Sequence, residues 1–397
     1  MKTCWNIQSF VVAADIYRRN ARLASSCIQC SLGSYRPSEA LRVAFYVPSP
    51  TLVRSVPAST ADYWPWIIDA VRAAPAQLGD GRGVCPWLGP YNWTIQTCLE
   101  LKSSGFACEL TATLPDEGVV IAHGDFLPPA LAPSARRLIV EIKPDRPLQC
   151  QFANMVVVQN SSDPIRQWPL RMLVQSVAVP YWPQPGLIPR DASRGDRFEN
   201  VGFMGRSQNF LEEAASVASG FAARGLNWMV MPMERWHDYR DLDAVVAVRP
   251  PVHGLPSDAV PFQAANRKPA SKLVNAWLAG VPAVLSPDDA FRQVRTSSLD
   301  YLEAESVADV LTRVDQLRHD AVLRREMIAN GLERGAEFSR IHVTRRWLEV
   351  LQSQVLPAYL EWTSSPARRA AFYASRRSAH AVLWRVQHWK ASRRQAT

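Results

Sequence analysis

The sequence predicts an α/β chain of two consecutive parallel-sheet domains facing each other across a cleft, and three observations carry that prediction. Short apolar runs alternate with segments of helical periodicity through residues 41–179, and the alternation starts again at Val201. Between the two series, residues 180–189 hold four prolines, which excludes a helix interior or a central strand and leaves a stiff connector. Late in the second series, residues 268–287 read as a helix from Ser271 to Ala279, a stop at Gly280 and an apolar strand over residues 281–285. Two such Rossmann-like halves hold ligands at the carboxyl edges of their strands.

In chain order, residues 41–47 are the first expected strand, stopped by Pro48 and Pro50. A Pro- and Trp-rich stretch follows to Pro90, in which no element is assigned; its Trp64, Trp66 and Trp87 suit either a sugar-binding cleft or burial under the loop. Residues 89–105 have helical spacing, with Ile95, Cys98, Leu99 and Leu101 inward and Gly105 as the stop. Strands are expected at residues 106–112, 118–122, 138–142, 155–158 and 177–179, the second of them ending at His123-Gly124-Asp125. The crossing between domains falls near residue 185.

The second half is expected to carry strands at residues 201–204, 228–231, 244–248, 281–285 and 300–303. Helices are expected over residues 208–224, 306–317, 321–331 and 340–356, a helical turn over 236–240, and a Pro-rich loop over 250–269. The domain reading is a leader at 1–38, a first domain at 39–184 and a second at 185–345. A helix at 346–365 and a basic amphipathic tail at 366–397 complete the chain.

Composition narrows the function class. The net charge is +9, but eight of the 45 basic residues follow Glu361 and no acidic residue does, so the preceding body is close to neutral. A broad nucleic-acid surface on that body is therefore not expected. The seven cysteines are irregularly spaced and confined to the first half, which suits a reducing compartment rather than a disulfide framework. Cys27 and Cys30 form a lone CxxC without a second pair at metal-site spacing. No apolar run is long enough to span a bilayer, and the N-terminus lacks the pattern of a signal peptide. In the tail, Phe372, Ala379, Val382, Leu383, Val386 and Trp389 recur at near-helical spacing among arginines. That pattern suits a helix on an anionic membrane surface, a helix packed on the first domain or a disordered basic tail.

At residues 268–287, Ser271 reads as the N-cap, and Lys268, Ser271, Lys272 and Asn275 gather near the helix N-terminus. The N-terminus carries unpaired N–H groups and partial positive charge, so with two lysines beside it the site suits a diphosphate. An ordinary crossover with solvated lysines is the alternative.

Four segments, spread over residues 41–360, resemble the GT-B glycosyltransferases, in particular the family 4 type (glycosyltransferase group 1). Gly89-Pro90 and its helix, running to Gly105-Phe-Ala-Cys-Glu-Leu110, resemble that family's Gly-Gly helix and following strand. Val119-Val-Ile-Ala-His-Gly-Asp125 is similar to its strand ending in a His that faces the donor sugar. Phe203-Met-Gly-Arg206 resembles its Phe-x-Gly-Arg element, and Leu273-Val-Asn-Ala-Trp-Leu-Ala-Gly-Val-Pro-Ala283 its ribose- and diphosphate-holding helix.

The resemblance implies a GT-B enzyme whose last helix returns to the first domain. It would move a sugar from a nucleotide diphosphate to a glycan, lipid or other hydroxyl acceptor, as in polysaccharide biosynthesis, with the nucleotide sugar as co-substrate and no bound cofactor. Arg206, Arg249, Lys268, Ser271, Lys272 and Asn275 become the donor-binding residues, and Trp236 a candidate to stack on the base. His123 and Asp125 become the catalytic pair, and Gly89, Asn92 and Trp93 the acceptor side. Positive charge on the leaving diphosphate is what the chemistry needs. The expected location is cytoplasmic, held peripherally at the inner membrane face through residues 366–397.

The family's two glutamates, seven residues apart, fall here at Arg267 and Asn275, and the lysine that usually follows the Gly-Arg element is replaced around Leu211-Glu212-Glu213. Donor sugar, base and stereochemical outcome therefore do not carry over. Asp241-Leu-Asp243 has metal-motif spacing but precedes an apolar strand, and no metal is expected. The competing readings are an epimerase or phosphorylase on the same scaffold, and a non-catalytic binding protein.

Overall fold

The computed structural model describes residues 42–73, 88–129, 134–145, 148–167, 174–206, 214–249 and 268–378, with residues 131, 171 and 210. The leader with Cys27 and Cys30, Trp87, most of the loop after Arg249 including Arg267, and residues 379–397 lie outside them.

The first lobe is a six-stranded sheet built from β1 (Val43–Tyr46), β2 (Glu109–Thr111), β3 (Gly118–His123), β4 (Arg137–Ile142), β5 (Met155–Val158) and β6 (Gln175–Ala178). Its order is β2-β1-β3-β4-β5-β6, and every pairing is parallel. The second lobe contains β7 (Asn200–Phe203), β8 (Asn227–Val230), β9 (Ala244–Ala247), β10 (Ala283–Leu285) and β11 (Leu302–Glu303). Its order is β11-β10-β9-β7-β8, again all parallel. β3, β4, β5 and β9 are buried along their whole length, because helices cover both faces of such sheets.

Two helices stand in the Pro- and Trp-rich stretch left without an assigned element. Pro50–Ser55 begins under Ser49, whose hydroxyl accepts the Leu52 N–H at 3.4 Å, with Pro50 in the first turn where a proline costs nothing. Tyr63–Ala73 tolerates Pro65 for the same reason and buries Tyr63, Trp64, Ile67 and Ile68. Trp64 is core here, not a cleft lining. The expected turn at 236–240 is replaced by a 3₁₀ turn at Met233–Arg235.

Ser271 is corrected from N-cap to first helical residue: Ala270 takes the cap position, without a side-chain bond. The stop is at Gly280 (φ 67°, ψ 39°), left-handed backbone where a side chain would be strained. The Val281 N–H still closes the helix onto Ala276 O at 3.0 Å, and Pro282 follows, which delays β10 to Ala283.

A helix over Arg340–Val350, with a π turn at Leu351–Val355, continues through Leu356–Ser364. It places Val343, Trp347, Leu351, Leu356 and Trp362 in the same core as Phe45, Ile121 and Val140 of the first sheet. A further helix spans 366–378 and lays Phe372 and Tyr373 edge-on to Trp362, with ring centroids 5.1 and 5.6 Å apart. The described part of the tail therefore packs on the first lobe. No helix among the described residues is long and apolar enough to cross a membrane.

Close approach also governs the second lobe. A Cβ at Gly331, in the helix Ala321–Ala336, would lie 2.8 Å from Cδ1 of Trp277, whose indole N–H is fixed on Asp300 O at 2.9 Å. Gly331→Ala is expected to destabilise the fold by about 1–3 kcal/mol through overpacking, outweighing the helix propensity gained. A denaturant midpoint equal to or above that of the wild type would contradict this.

Candidate functional site

In the second lobe, β7 ends at Phe203 and the chain turns at Gly205-Arg206. Lys272, in the first turn of helix Ser271–Ala279, sets its amine 4.5 Å from the Phe203 ring centroid. The same amine would be 3.1 Å from a Cβ at Gly205, so it lies directly over that turn. Arg249 follows β9, with Nη1 2.8 Å from a carboxylate oxygen of Asp288 at the end of β10. Lys268 reaches across to the first lobe and pairs with Asp145. Arg206 is half-buried beside Gly205.

Burial pushes the Lys272 amine down to about 7, with Arg249 and Lys268 adding repulsion and Asp288 opposing it. By accessible surface Lys272 is only half-buried, which fits an amine set deep in the mouth of a gap. A cation held against its preference in this way is relieved by an anion. The free protein loses this proton as pH rises through about 7, whereas the unfolded chain keeps it to the ordinary lysine value of 10.5. Stability of the ligand-free fold is therefore expected to rise with pH across that window. Binding of a diphosphate is expected to weaken over the same rise and to take up close to one proton at about pH 8. Calorimetry of UDP-, GDP- and ADP-sugars in buffers of different ionisation enthalpy reads this; no proton uptake would contradict it.

In the first lobe, His123 ends β3, with its backbone N–H on Thr94 Oγ1 at 3.3 Å and its side chain 2% exposed. Its Nδ1 accepts the Asp125 backbone N–H at 3.1 Å, so the ring proton sits on Nε2 and the ring is neutral. The 3.8 Å approach of Nδ1 to the Asp125 carboxylate is thus not an ion pair in this state. Asp125 keeps 21% of its side chain exposed and is the more accessible of the two.

Helix Leu88–Tyr91 widens into a π turn over Asn92–Gln96 and continues through Thr97–Ser103. The π turn buries all five of its residues, Asn92 and Trp93 among them. Asn92 accepts the Tyr63 hydroxyl at 2.8 Å, and the Trp93 and Tyr181 rings meet edge-on at 4.9 Å. Gly89 differs: a Cβ there meets no described atom within 4 Å.

Asn275 is likewise drawn inward. Its side-chain oxygen accepts the Gln184 N–H at 3.0 Å, so it ties the connector to the second lobe. Trp236 is half-buried, donates its indole N–H to Met231 O at 3.0 Å and packs against the cores of both lobes.

Polar contacts close the seam between lobes. Asn160 donates to Lys268 O at 3.0 Å, and Gln293 Oε1 accepts from Ser161 Oγ and Ser162 N at 2.8 and 3.0 Å. Beside them a cavity of about 510 Å³ is lined by Asn160, Tyr181, Ser271, Val274, Gln293 and His342. Ser271 thus faces this cavity while Lys272 faces the Gly205 turn. Sequence reasoning missed Asp145, Asp288 and Gln293; the strand-end position of Asp288 was the available signal.

No protein-family model matches the chain, and no curated protein matches it. Among solved structures it is similar to HepE of Anabaena in complex with UDP and glucose, at 12% identity over 79% of this chain and 100% of that one, with a TM-score of 0.47. It is also similar to TarM, at 9% identity over 64% of this chain and 58% of that one (TM-score 0.43). Sucrose-phosphate synthase from Thermosynechococcus elongatus matches at 12% identity over 68% of this chain and 78% of that one, also with a TM-score of 0.43. The chain spans little more than half the length of TarM. Similarities this distant transfer no residue's role. The fold, two parallel α/β lobes with a C-terminal helix recrossing to the first, is of the GT-B kind.

Proposed function

We propose that this protein is a glycosyltransferase that moves a hexose from a nucleotide-diphosphate donor to a hydroxyl acceptor. The observation that carries the reading is the Lys272 amine, set over the Gly205-Arg206 turn at the carboxyl ends of the second lobe's strands, with Arg249 as its neighbour in charge.

In this reading, the bond from the anomeric carbon to the diphosphate oxygen breaks and the electron pair leaves with the diphosphate. Lys272, Arg206 and Arg249 meet the charge that develops there, so the reading requires no metal. The acceptor oxygen bonds to the same carbon, and its proton passes to Asp125. His123, with its proton on Nε2, donates a hydrogen bond to the sugar. Lys268 would exchange Asp145 for donor phosphate, and Ser271 would line the cavity beside the donor. Gly89 leaves room for the acceptor. The acceptor is a glycan or lipid-linked hydroxyl, and membrane contact would be made through residues 366–397.

A thermal-shift screen of UDP, GDP, ADP and their sugars, followed by donor hydrolysis, tests the reading. Stabilisation by one base's diphosphate and slow release of free sugar are expected. A nucleotide that binds while its sugar donor is never consumed would make the protein a binder and not an enzyme.

A further inference from the structure

Beneath the His123–Asp125 turn lies a carboxylate that the reaction above does not use. Glu141, on β4, is fully buried and accepts the backbone N–H groups of Gln149 and Cys150 at 2.9 and 2.8 Å. A Cβ at Gly124 would be 2.7 Å from Glu141 Oε1, so the turn between His123 and Asp125 rests directly on this group. The loop carrying Gln149 packs against the same spot, with its Cβ and Cγ within 3.2 Å of that position.

Two cations oppose the burial of Glu141: Lys143 on the same side of β4 and, at the end of the described chain, Arg376. Arg376, on the helix at 366–378, is 3% exposed, donates through Nη2 to Ala153 O and lies 5.1 Å from the Phe372 ring centroid. Its Nε has no hydrogen-bond partner among the described residues. An arginine buried with a donor left over is poorly explained by hydrogen bonding alone, and its charge is the property the surroundings use. Burial lifts Glu141 to about 7 and lowers Arg376 to about 10, and each group opposes the other's shift. The other ionisable neighbours are Lys143, whose amine is taken by Asp163 at 2.6 Å, Cys150, and His123 and Asp125 above the turn.

We infer that Glu141 is a positioning residue for the His123–Asp125 turn and that Arg376 is its counter-charge, so that the C-terminal helix is a working part of the first lobe. The inference rests on the catalytic reading of that turn, and the experiment separates the two.

Melting temperature is measured from pH 4.5 to 8.5 for wild type, Glu141→Gln, Arg376→Gln and Arg376→Lys. Because Glu141 titrates higher in the fold than in the unfolded chain, its contribution to stability is full below about 4.5 and is lost as pH rises through about 7. This component is expected to vanish in Glu141→Gln, to move to higher pH in Arg376→Gln and to stay in place in Arg376→Lys. Curves of the same shape in all four proteins would overturn the coupling. If Arg376→Gln does not fold, it is placed in the Glu141→Gln background: recovery of folding there supports the coupling, and continued failure to fold overturns it.

Hydrolysis of the UDP-, GDP- or ADP-sugar that the wild type consumes is then compared at pH 7.5. Arg376→Gln is expected to lower kcat by about tenfold to a hundredfold with KM unchanged, as displacement of a reacting group does, and Arg376→Lys to restore most of it. An unchanged kcat, or a loss confined to KM, would overturn the positioning role. If the wild type consumes no donor, the transferase reading fails while the melting curves still judge the coupling.

Discussion

Lys272→Ala is expected to abolish stabilisation by a nucleoside diphosphate, weakening binding by about 2–5 kcal/mol, a loss of thirtyfold to several thousandfold. The size follows from the setting. The half-buried amine sits over the Gly205 turn, where a charge-assisted contact to phosphate is strong and a truncated one leaves the anion facing only its remaining partners. The effect on the free protein has the opposite sign. Burial and two neighbouring cations disfavour the Lys272 charge, so removing it relieves a cost, and the ligand-free variant is expected to melt no lower than the wild type at pH 7. Parallel melting curves with and without UDP, GDP and ADP measure both effects. A variant that melts lower but still responds fully to the same nucleotide would make Lys272 a structural residue.

Asp125→Asn is expected to slow transfer by about a hundredfold to ten-thousandfold, the range of general-base catalysis, while leaving donor binding intact. The substitution isolates the carboxylate, because the hydrogen bond holding His123 comes from the Asp125 backbone N–H and survives. Nor does the proposed phosphate site of the second lobe depend on it. A variant whose kcat stays within about twofold would move the proton to another acceptor, such as a leaving phosphate oxygen.

The sheets were legible in the sequence because a strand buried on both faces is an unbroken apolar run; Met155–Val158 was read to the residue. Gly280 was legible because only glycine suits the left-handed stop. The helix Tyr63–Ala73 was missed because Pro65 and the tryptophans look like loop composition, although Tyr63, Trp64, Ile67 and Ile68 recur at helical spacing. The cations near the Gly205 turn were readable as residue types at strand ends and a helix start. Partners were not. Asn275 presents the right chemistry for a ribose, but the group that claims its oxygen is Gln184, 91 residues away. In the same way, Phe372 announced an apolar face without saying what covers it.

The connector is clasped at three successive residues by the two helices that border the gap. The Trp182 indole N–H donates to Thr97 Oγ1 at 2.8 Å, Pro183 O accepts from Gln96 Nε2 at 3.4 Å, and the Gln184 N–H is taken by Asn275. These residues therefore act as a shared fulcrum rather than a slack tether. Both lobes hold the same short stretch of backbone, so the spacing of their facing helices is set at these three residues.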